Sequence, residues 1–130
     1  TINNVLKVFY QKARAQNIAM EIRAAAKPNL SVPSPALVTV VANILENALH
    51  GAAEANADNP KIIVSIKHKS GRLVISCENT CSKSLHFDEM PDYLQGIGVH
   101  SVISTAEKFG GTCHFSANNG MFNCIVVMDE

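Results

Sequence analysis

The chain has 130 residues, a length that suits one domain built around one hydrophobic core. Its 11 basic and 11 acidic residues cancel, which argues against a dedicated nucleic-acid-binding protein, because such proteins present a basic face. Hydrophobic residues make up 47% of the sequence, too many for a disordered chain. No apolar run approaches the roughly 20 residues that are needed to span a bilayer.

The first half of the chain alternates between helical and extended patterns. Residues 3–16 have apolar side chains at helical spacing, with Asn17 as the expected C-cap, and residues 18–23 alternate as a strand does. Ser34 and Pro35 then suit the N-cap and first position of a long helix that runs to about residue 55. We expect the apolar face of this helix to pack in the core.

The second half of the chain contains two predicted hairpins with a helix between them. Alternating residues 61–68 and 73–77 flank a Ser-Gly turn, and residues 112–117 and 121–128 flank an Asn-Gly turn. Between the hairpins lie a long loop, at residues 80–95, and a helix of about residues 99–109 that Gly-Gly closes. This order predicts an α/β two-layer sandwich with a mixed, largely antiparallel sheet and helices on one face.

The four cysteines offer little of the paired spacing that zinc sites show, since two of them are close together and two stand alone. Most fall on the apolar side of strand-like runs. We therefore expect four reduced thiols that act as small core residues. They are Cys77, Cys81, Cys113 and Cys124.

The long second helix carries an unusual polar stripe. At helical spacing, Asn43, Asn47, His50 and Glu54 fall on one side, with Glu46 beside them. Asparagine is a weak helix former, because its side chain competes for nearby backbone groups. The stripe is either a solvated face or the wall of a cleft, in which neutral carboxamide oxygens would suit Mg²⁺.

A short glycine motif, Gly96-Ile97-Gly98-Val99, lies at the start of the third predicted helix. Glycines let the backbone approach a phosphate, and a helix N-terminus offers free N–H groups and a partial positive charge. Such a motif is equally consistent with a hinge or a simple helix entry. It is neither a P-loop nor a dinucleotide-binding motif, because Ser101 replaces the third glycine and a loop precedes it.

Asn79 lies at the end of the predicted strand that starts at Leu73. It shares the parity of Leu73, Ile75 and Cys77, which places its side chain on the apolar side of the sheet. A buried carboxamide needs hydrogen-bond partners, since leaving it unpaired costs about 1–3 kcal/mol. Asn79 therefore either faces a ligand or closes the strand with an Asx-turn.

These motifs, in this order, resemble the GHKL ATPases, a superfamily that includes DNA gyrase, Hsp90, the MutL proteins and the histidine kinases. Residues 41–48 are similar to the N box, and residues 75–81 occupy the place of the first glycine box. Residues 96–102 and 109–111 resemble the second glycine box and its helix. The resemblance covers essentially the whole chain and is closest to the catalytic domains of the peptide-sensing, LytTR-linked sensor kinases.

The resemblance implies ATP and Mg²⁺ as cofactors and assigns roles to single residues. Asn47 would ligate Mg²⁺, Asn43 would lie near the phosphates and His50 would face them. Asn79 stands where the family has an Asp that bonds the adenine amino group, and its oxygen can accept that same bond. The second glycine box would let a lid close over the phosphates, and its residues are Gly96, Ile97, Gly98 and Val99.

The catalytic chemistry that the resemblance implies is phosphoryl transfer to a protein histidine. Relatives that hydrolyse ATP carry Glu as a general base where this chain has Asn43, and Asn cannot accept a proton. Glu46 remains the candidate base or histidine activator. No histidine lies within residues 1–17, so the phosphoacceptor would belong to helices outside this chain.

The resemblance also places the chain within a larger protein. Residues 1–16 would be the end of the linker or dimerisation-helix region, and residues 17–130 the catalytic ATP-binding domain. Expected partners are the phosphoacceptor domain of the same protein, a second copy in a homodimer and a response regulator, with no nucleic acid. The domain would be cytoplasmic, in a membrane-anchored sensor.

Two departures from the family pattern keep other functions open. The predicted lid at residues 82–95 is short, and Asn79 and Cys81 replace the Asp and first Gly of the first glycine box. A non-catalytic interaction module, or pseudokinase, would tolerate both changes. An anti-sigma-factor-like serine kinase has the same fold but needs no phosphoacceptor helix upstream.

Overall fold

The computed structural model describes residues 2–24, 34–84 and 97–129. Within these ranges the chain forms three helices and five strands in the predicted order, and their bounds differ from the predicted ones by at most three residues. The elements are α1 (Ile2–Ala15), β1 (Ala19–Ala24), α2 (Ser34–Glu54), β2 (Lys61–Lys69), β3 (Arg72–Thr80), α3 (Ile97–Lys108), β4 (Thr112–Asn118) and β5 (Met121–Asp129).

The strands form one sheet in the order β1-β2-β3-β5-β4. β1 pairs with β2 in parallel, and every other neighbouring pair is antiparallel, so the predicted mixed sheet is confirmed. One row across its core face contains Val64, Cys77, Cys124 and Phe115, each from a different strand. The helices pack over this face, which gives the predicted two-layer α/β sandwich.

Both predicted hairpins have two-residue turns with positive φ at each central position. Ser70 and Gly71 have φ values of 53° and 76°, and Asn119 and Gly120 have values of 54° and 78°. This is the geometry of a type I′ turn, whose twist matches that of the flanking strands. The turns therefore set the register of β2 with β3 and of β4 with β5.

Two helices end in the hydrogen-bond pattern of the Schellman motif. At the end of α1, Asn17 has a φ of 58°, and the N–H of Ile18 donates to the carbonyl of Ala13 over 2.9 Å. At the end of α3, the N–H of Gly111 donates to the carbonyl of Ala106 over 2.7 Å. These ends direct the chain from each helix into the strand that follows it.

The core lies between the sheet and helix α2, and every residue of the predicted apolar face of α2 is buried. By length and composition alone, residues Pro35–Glu54 are apolar enough to cross a membrane, but this helix packs as the core helix of the domain. Helix α1 adds its own apolar side to the same core. The buried residues of α1 and α2 are Leu6, Phe9, Ala13, Leu37, Val40, Val41, Ile44, Leu45, Ala48, Leu49 and Ala52.

Strand β1 is the least buried strand of the sheet. The sequence predicts one apolar face for it, but Met20 is half-buried and Ile22 is 36% exposed. The reason is its position, since β1 is an edge strand that pairs with β2 alone. Strand β1 therefore lies at the periphery of the core.

Candidate functional site

A cavity opens on the core face of the sheet, between helices α2 and α3. Its empty space is about 270 Å³ when the adjoining open solvent is included, but only about 10 Å³ is accessible to the centre of a water molecule, which is room for about one water. Its lining is apolar except for two carboxamides. The lining residues are Ile44, Asn47, Ala48, Cys77, Asn79, Val102, Phe115, Phe122 and Cys124.

Asn79 is the one buried polar or charged residue in the part of the chain that the structure describes, and it is 4% exposed. Its register partners are Ile62 on β2 and Phe122 on β5, so its side chain points to the core face, as its parity predicts. Strand β3 continues through it to Thr80. The strand therefore does not close at Asn79 as the Asx-turn alternative requires.

The orientation of the Asn79 carboxamide follows from its hydrogen bond. Its Nδ2 donates to the backbone carbonyl of Thr80 over 2.9 Å. A carbonyl oxygen can only accept, so the amide nitrogen must be the end that faces it. The Oδ1 atom is consequently turned away from Thr80, and no residue that the structure describes donates a hydrogen bond to it.

The N box of helix α2 contributes one side of the cavity. Ile44 and Ala48 are buried and form part of its apolar wall, whereas Asn47 is an exposed residue that lines the same cavity. Asn47 therefore stands at the mouth, between the interior and solvent. A neutral carboxamide oxygen at this place fits the predicted role toward a hard cation that prefers oxygen ligands.

The other residues of the polar stripe do not line the cavity. Asn43 is half-buried, and Glu46 and His50 are exposed. Nε2 of His50 lies 3.1 Å from Oε1 of Glu54, one helical turn further on, and both side chains are largely solvated. In this structure His50 therefore contacts a carboxylate on its own helix, and the assigned roles of these three residues stay predictions.

The second glycine box lies at the edge of the described chain. Gly96 and most of the predicted lid fall outside the described residues, while Ile97 and Gly98 form the first turn of α3. Val99 is 4% exposed and belongs to the core. Val102, one turn further along α3, is the residue of this helix that lines the cavity.

The sequence motifs do not identify several residues of the cavity, because these residues lie on strands of the sheet outside the motifs. Phe115 and Phe122 lie with ring centroids 6.2 Å apart, and both line the cavity. Cys77 and Cys124 face each other on neighbouring strands and form its floor. Strand parity marks each of these residues as inward-facing, but only the strand order brings them to one place.

Burial keeps the thiols of the floor neutral. Burial, with a smaller contribution from the charge of Glu78, raises the pKa of the Cys77 thiol to about 12. Burial is also the main cause that raises the pKa of Cys124, followed by the neighbouring Cys77 and Cys113. All four cysteines are free thiols, and the cavity floor is therefore uncharged and weakly nucleophilic at neutral pH.

The raised thiol pKa values predict a loss of stability in alkali. The unfolded chain releases the Cys77 proton near pH 9.0 and the folded chain only near pH 12, so the free energy of unfolding falls as pH rises above 9.0. Each such thiol contributes a slope of about 1.4 kcal/mol per pH unit. Urea unfolding at several pH values above 9.0 should give a shallower slope for Cys77→Ala than for the wild type.

The comparison of slopes separates ionisation from packing. Loss of the Cys77 side chain lowers stability at every pH, whereas only the loss of its thiol proton changes the slope. Lysine ionisation affects both proteins alike and cancels. Equal slopes would contradict a neutral, buried Cys77.

The sequence of residues 34–129 matches the profile of the GHKL domain. The chain belongs to the GHKL family. The matched range includes α2, the whole hairpin that carries Asn79, and helix α3, so it contains every wall of the cavity. None of the curated proteins compared with this sequence matches it.

Solved structures of histidine kinases have the same fold. The catalytic domain of histidine kinase ThkA superposes with a TM-score of 0.77 at 18% identity, over 98% of this chain and 88% of that one. Histidine kinase AdeS of Acinetobacter baumannii gives 0.76 at 16% identity, over 98% and 62%. Full-length ShkA, solved in complex with AMPPNP, gives 0.73 at 13% identity, over 98% and 28%.

Proposed function

We propose that this chain is the ATP-binding catalytic domain of a two-component sensor histidine kinase. It would bind Mg-ATP and transfer the γ-phosphoryl group to a histidine on a separate dimerisation domain. The observation that carries this proposal is the Asn79 oxygen, which lies in an apolar cavity without a protein donor among the described residues. This acceptor is the polar group of an otherwise apolar part of the lining, so a ligand that donates a hydrogen bond to it is favoured over one that cannot.

We assign the cavity to the base of the nucleotide, and its walls must move apart to admit a purine, since the interior has room for about one water. Its apolar walls suit a flat aromatic ring, with Phe115 and Phe122 on the side of the sheet and Val102 on the side of α3. Asn79 supplies one hydrogen-bond acceptor, its Oδ1, that could pair with the exocyclic amino group of adenine. Full-length ShkA, which has a similar fold, was solved in complex with AMPPNP, an ATP analogue.

The mouth of the cavity fits the phosphates and their cation. The described residues hold no cluster of three or more His, Cys, Asp or Glu side chains that could bind a metal by itself. Mg²⁺ is usually bound through one or two protein oxygens together with substrate phosphates, and Asn47 offers one such oxygen. When bound, the cation would supply charge neutralisation for phosphoryl transfer.

The polar stripe beyond the cavity supports transfer to histidine over hydrolysis. Asn43 cannot act as a general base toward water, because a carboxamide does not accept a proton at neutral pH. Glu46 is exposed on the same side of α2, where it could take a proton from an incoming phosphoacceptor. We assign His50 and the second glycine box, residues 96–99, to the phosphate end of the site.

We further propose the wider setting of the domain. The full protein would be a homodimeric, membrane-anchored sensor of the peptide-sensing, LytTR-linked branch, with this domain in the cytoplasm and a response regulator as partner. Residues 17–130 would be the catalytic domain and residues 1–16 the end of the preceding linker. Leu6, Phe9 and Ala13 pack in the common core, so this segment would be docked firmly on the domain.

One observation favours a non-catalytic interaction module as a second candidate. The described lining of the cavity contains no Lys or Arg, and the nearby His50 contacts Glu54. A nucleotide site without a cation for the phosphates depends wholly on Mg²⁺ and backbone N–H groups. Weak or absent nucleotide binding would therefore fit a domain that keeps the fold for protein contacts.

Calorimetric titration with ATP, with and without Mg²⁺, distinguishes the two candidates. We expect saturable binding that Mg²⁺ tightens, and we expect Asn47→Ala to reduce this enhancement by about tenfold, the equivalent of about 1.4 kcal/mol. Affinity without Mg²⁺ should change little. Asn59→Ala, a truncation of an exposed asparagine outside the cavity, is the matched control.

The two results that contradict the proposal are distinct. A folded wild-type protein that does not bind millimolar nucleotide would exclude the catalytic function and favour the interaction module. An unchanged Mg²⁺ dependence in Asn47→Ala would exclude only the role of Asn47. Far-ultraviolet circular dichroism of each variant establishes that the fold is retained.

A further inference from the structure

Gly51 lies in the interior of helix α2, one turn after Asn47 and directly opposite Asn79. A Cβ atom at this position would lie 2.7 Å from Nδ2 of Asn79 and 3.7 Å from its Cγ. Glycine inside a helix is unfavourable relative to alanine, because it loses more backbone freedom on folding. The close approach of Asn79 accounts for a residue without a side chain at this position.

The atom of Asn79 that lies against Gly51 is Nδ2, which is also the atom that forms the hydrogen bond of this side chain. Nδ2 of Asn79 donates to the carbonyl of Thr80 over 2.9 Å, and the same atom fills the space above the Gly51 Cα. One end of the carboxamide is therefore held between helix α2 and the backbone of β3. The other end of the carboxamide, the Oδ1 atom, is available to accept a hydrogen bond from a ligand in the cavity.

The orientation of this carboxamide decides which purine it can bind. Adenine presents an amino group where guanine presents a carbonyl oxygen, and Oδ1 can accept from the first but repels the second. A carboxamide free to rotate would serve both bases, because its Nδ2 could donate to the carbonyl of guanine. An anchored carboxamide therefore selects one class of base.

We infer that Gly51 is a positioning residue for base recognition. By lacking a side chain it keeps the Asn79 amide on the carbonyl of Thr80, and the cavity thereby selects adenine nucleotides over guanine nucleotides. This inference rests on the proposed nucleotide-binding function. The base preference is then set by the contact between Gly51 of α2 and Asn79 of β3, and not by Asn43 or Asn47 of the N box.

Substitution of Gly51 by alanine tests the contact with little risk to the fold. The group that must move is the end of a side chain, since the neighbours of the added Cβ within 4 Å are both side-chain atoms of Asn79. Alanine is also the better helix former. Gly51→Ala should therefore fold, displace Nδ2 from Thr80 and release the carboxamide to rotate.

The experiment is a double-mutant cycle on the full chain, measured as the ratio of the ATP and GTP dissociation constants with Mg²⁺ present. We expect Gly51→Ala to reduce the preference for ATP by about tenfold, as loss of one well-placed hydrogen bond does. In the Asn79→Ala background, Gly51→Ala should not change the ratio of the two dissociation constants, because the carboxamide that Gly51 positions is already absent. Ala53→Gly, at an exposed position of α2, controls for altered helix propensity.

The outcomes separate this inference from the function on which it rests. A wild type that binds neither nucleotide contradicts both. A wild type that prefers ATP, together with a folded Gly51→Ala that has the same preference, overturns the inference alone. The inference is also overturned if Gly51→Ala changes the ratio of the ATP and GTP dissociation constants equally in the wild type and in Asn79→Ala.

A measurement on the wild type provides an independent test. Because Nδ2 of Asn79 is buried and bonded to the Thr80 carbonyl, its protons should exchange slowly with solvent in the nucleotide-free protein. NMR hydrogen exchange of the assigned side-chain amide measures this directly. Exchange as fast as that of the exposed asparagine side chains would show that the carboxamide is not anchored and would overturn the inference.

Discussion

Asn79→Ala is expected to weaken ATP binding by about 10-fold to 100-fold while leaving the domain folded. The substitution removes the acceptor that would pair with the adenine amino group, and an unpaired polar group in an apolar site costs about 1–3 kcal/mol. The affinity for a nucleotide should fall without any change in its Mg²⁺ dependence. Calorimetric titration of both proteins with ATP, at fixed and saturating Mg²⁺, measures the difference.

The matched control for this substitution is Asn123→Ala. Asn123 lies on β5, one residue along from Phe122, and its side chain is on the opposite face of the sheet from Asn79. The same truncation there should leave ATP affinity unchanged. If Asn79→Ala binds ATP as tightly as the wild type does, the cavity is not the base site and the nucleotide must bind elsewhere.

The sequence predicts the parts of this site that depend on local periodicity. The burial of Asn79 follows from its parity with Leu73, Ile75 and Cys77, and the structure confirms it. The apolar face of α2 and both hairpin turns follow in the same way from helical spacing and from Ser-Gly and Asn-Gly pairs. In each case the information lies within one element or between two consecutive ones.

The parts that the sequence does not reveal depend on contacts between distant elements. Phe122 reaches Asn79 because β3 pairs with β5, which is not its neighbour in the chain. Gly51 faces Asn79 because α2 packs over β3, and no local pattern distinguishes it from a tolerated helical glycine. The exposure of β1 likewise follows from its edge position, which alternating residues alone do not predict.

Gly111→Ala is expected to cause the largest loss of stability of any substitution proposed for this protein. A Cβ at this position would overlap the carbonyl oxygen of Val127 and lie 2.9 Å from the Cα of Met128. These are backbone atoms of β5, the strand that holds Phe122 and Cys124 in the cavity wall, so they cannot yield as a side chain can. We expect the free energy of unfolding to fall by about 3 kcal/mol or more.

Urea unfolding of Gly111→Ala and Gly71→Ala provides the test, because the two glycines differ in what surrounds them. Gly71 has a φ of 76° and no heavy atom within 4 Å of an added Cβ, so alanine there costs only the strain of a left-handed conformation, about 1–2 kcal/mol. The loss at Gly111 should exceed this clearly. Equal losses would mean that β5 can move away from the end of α3, and the cavity wall that it carries would then be adjustable as well.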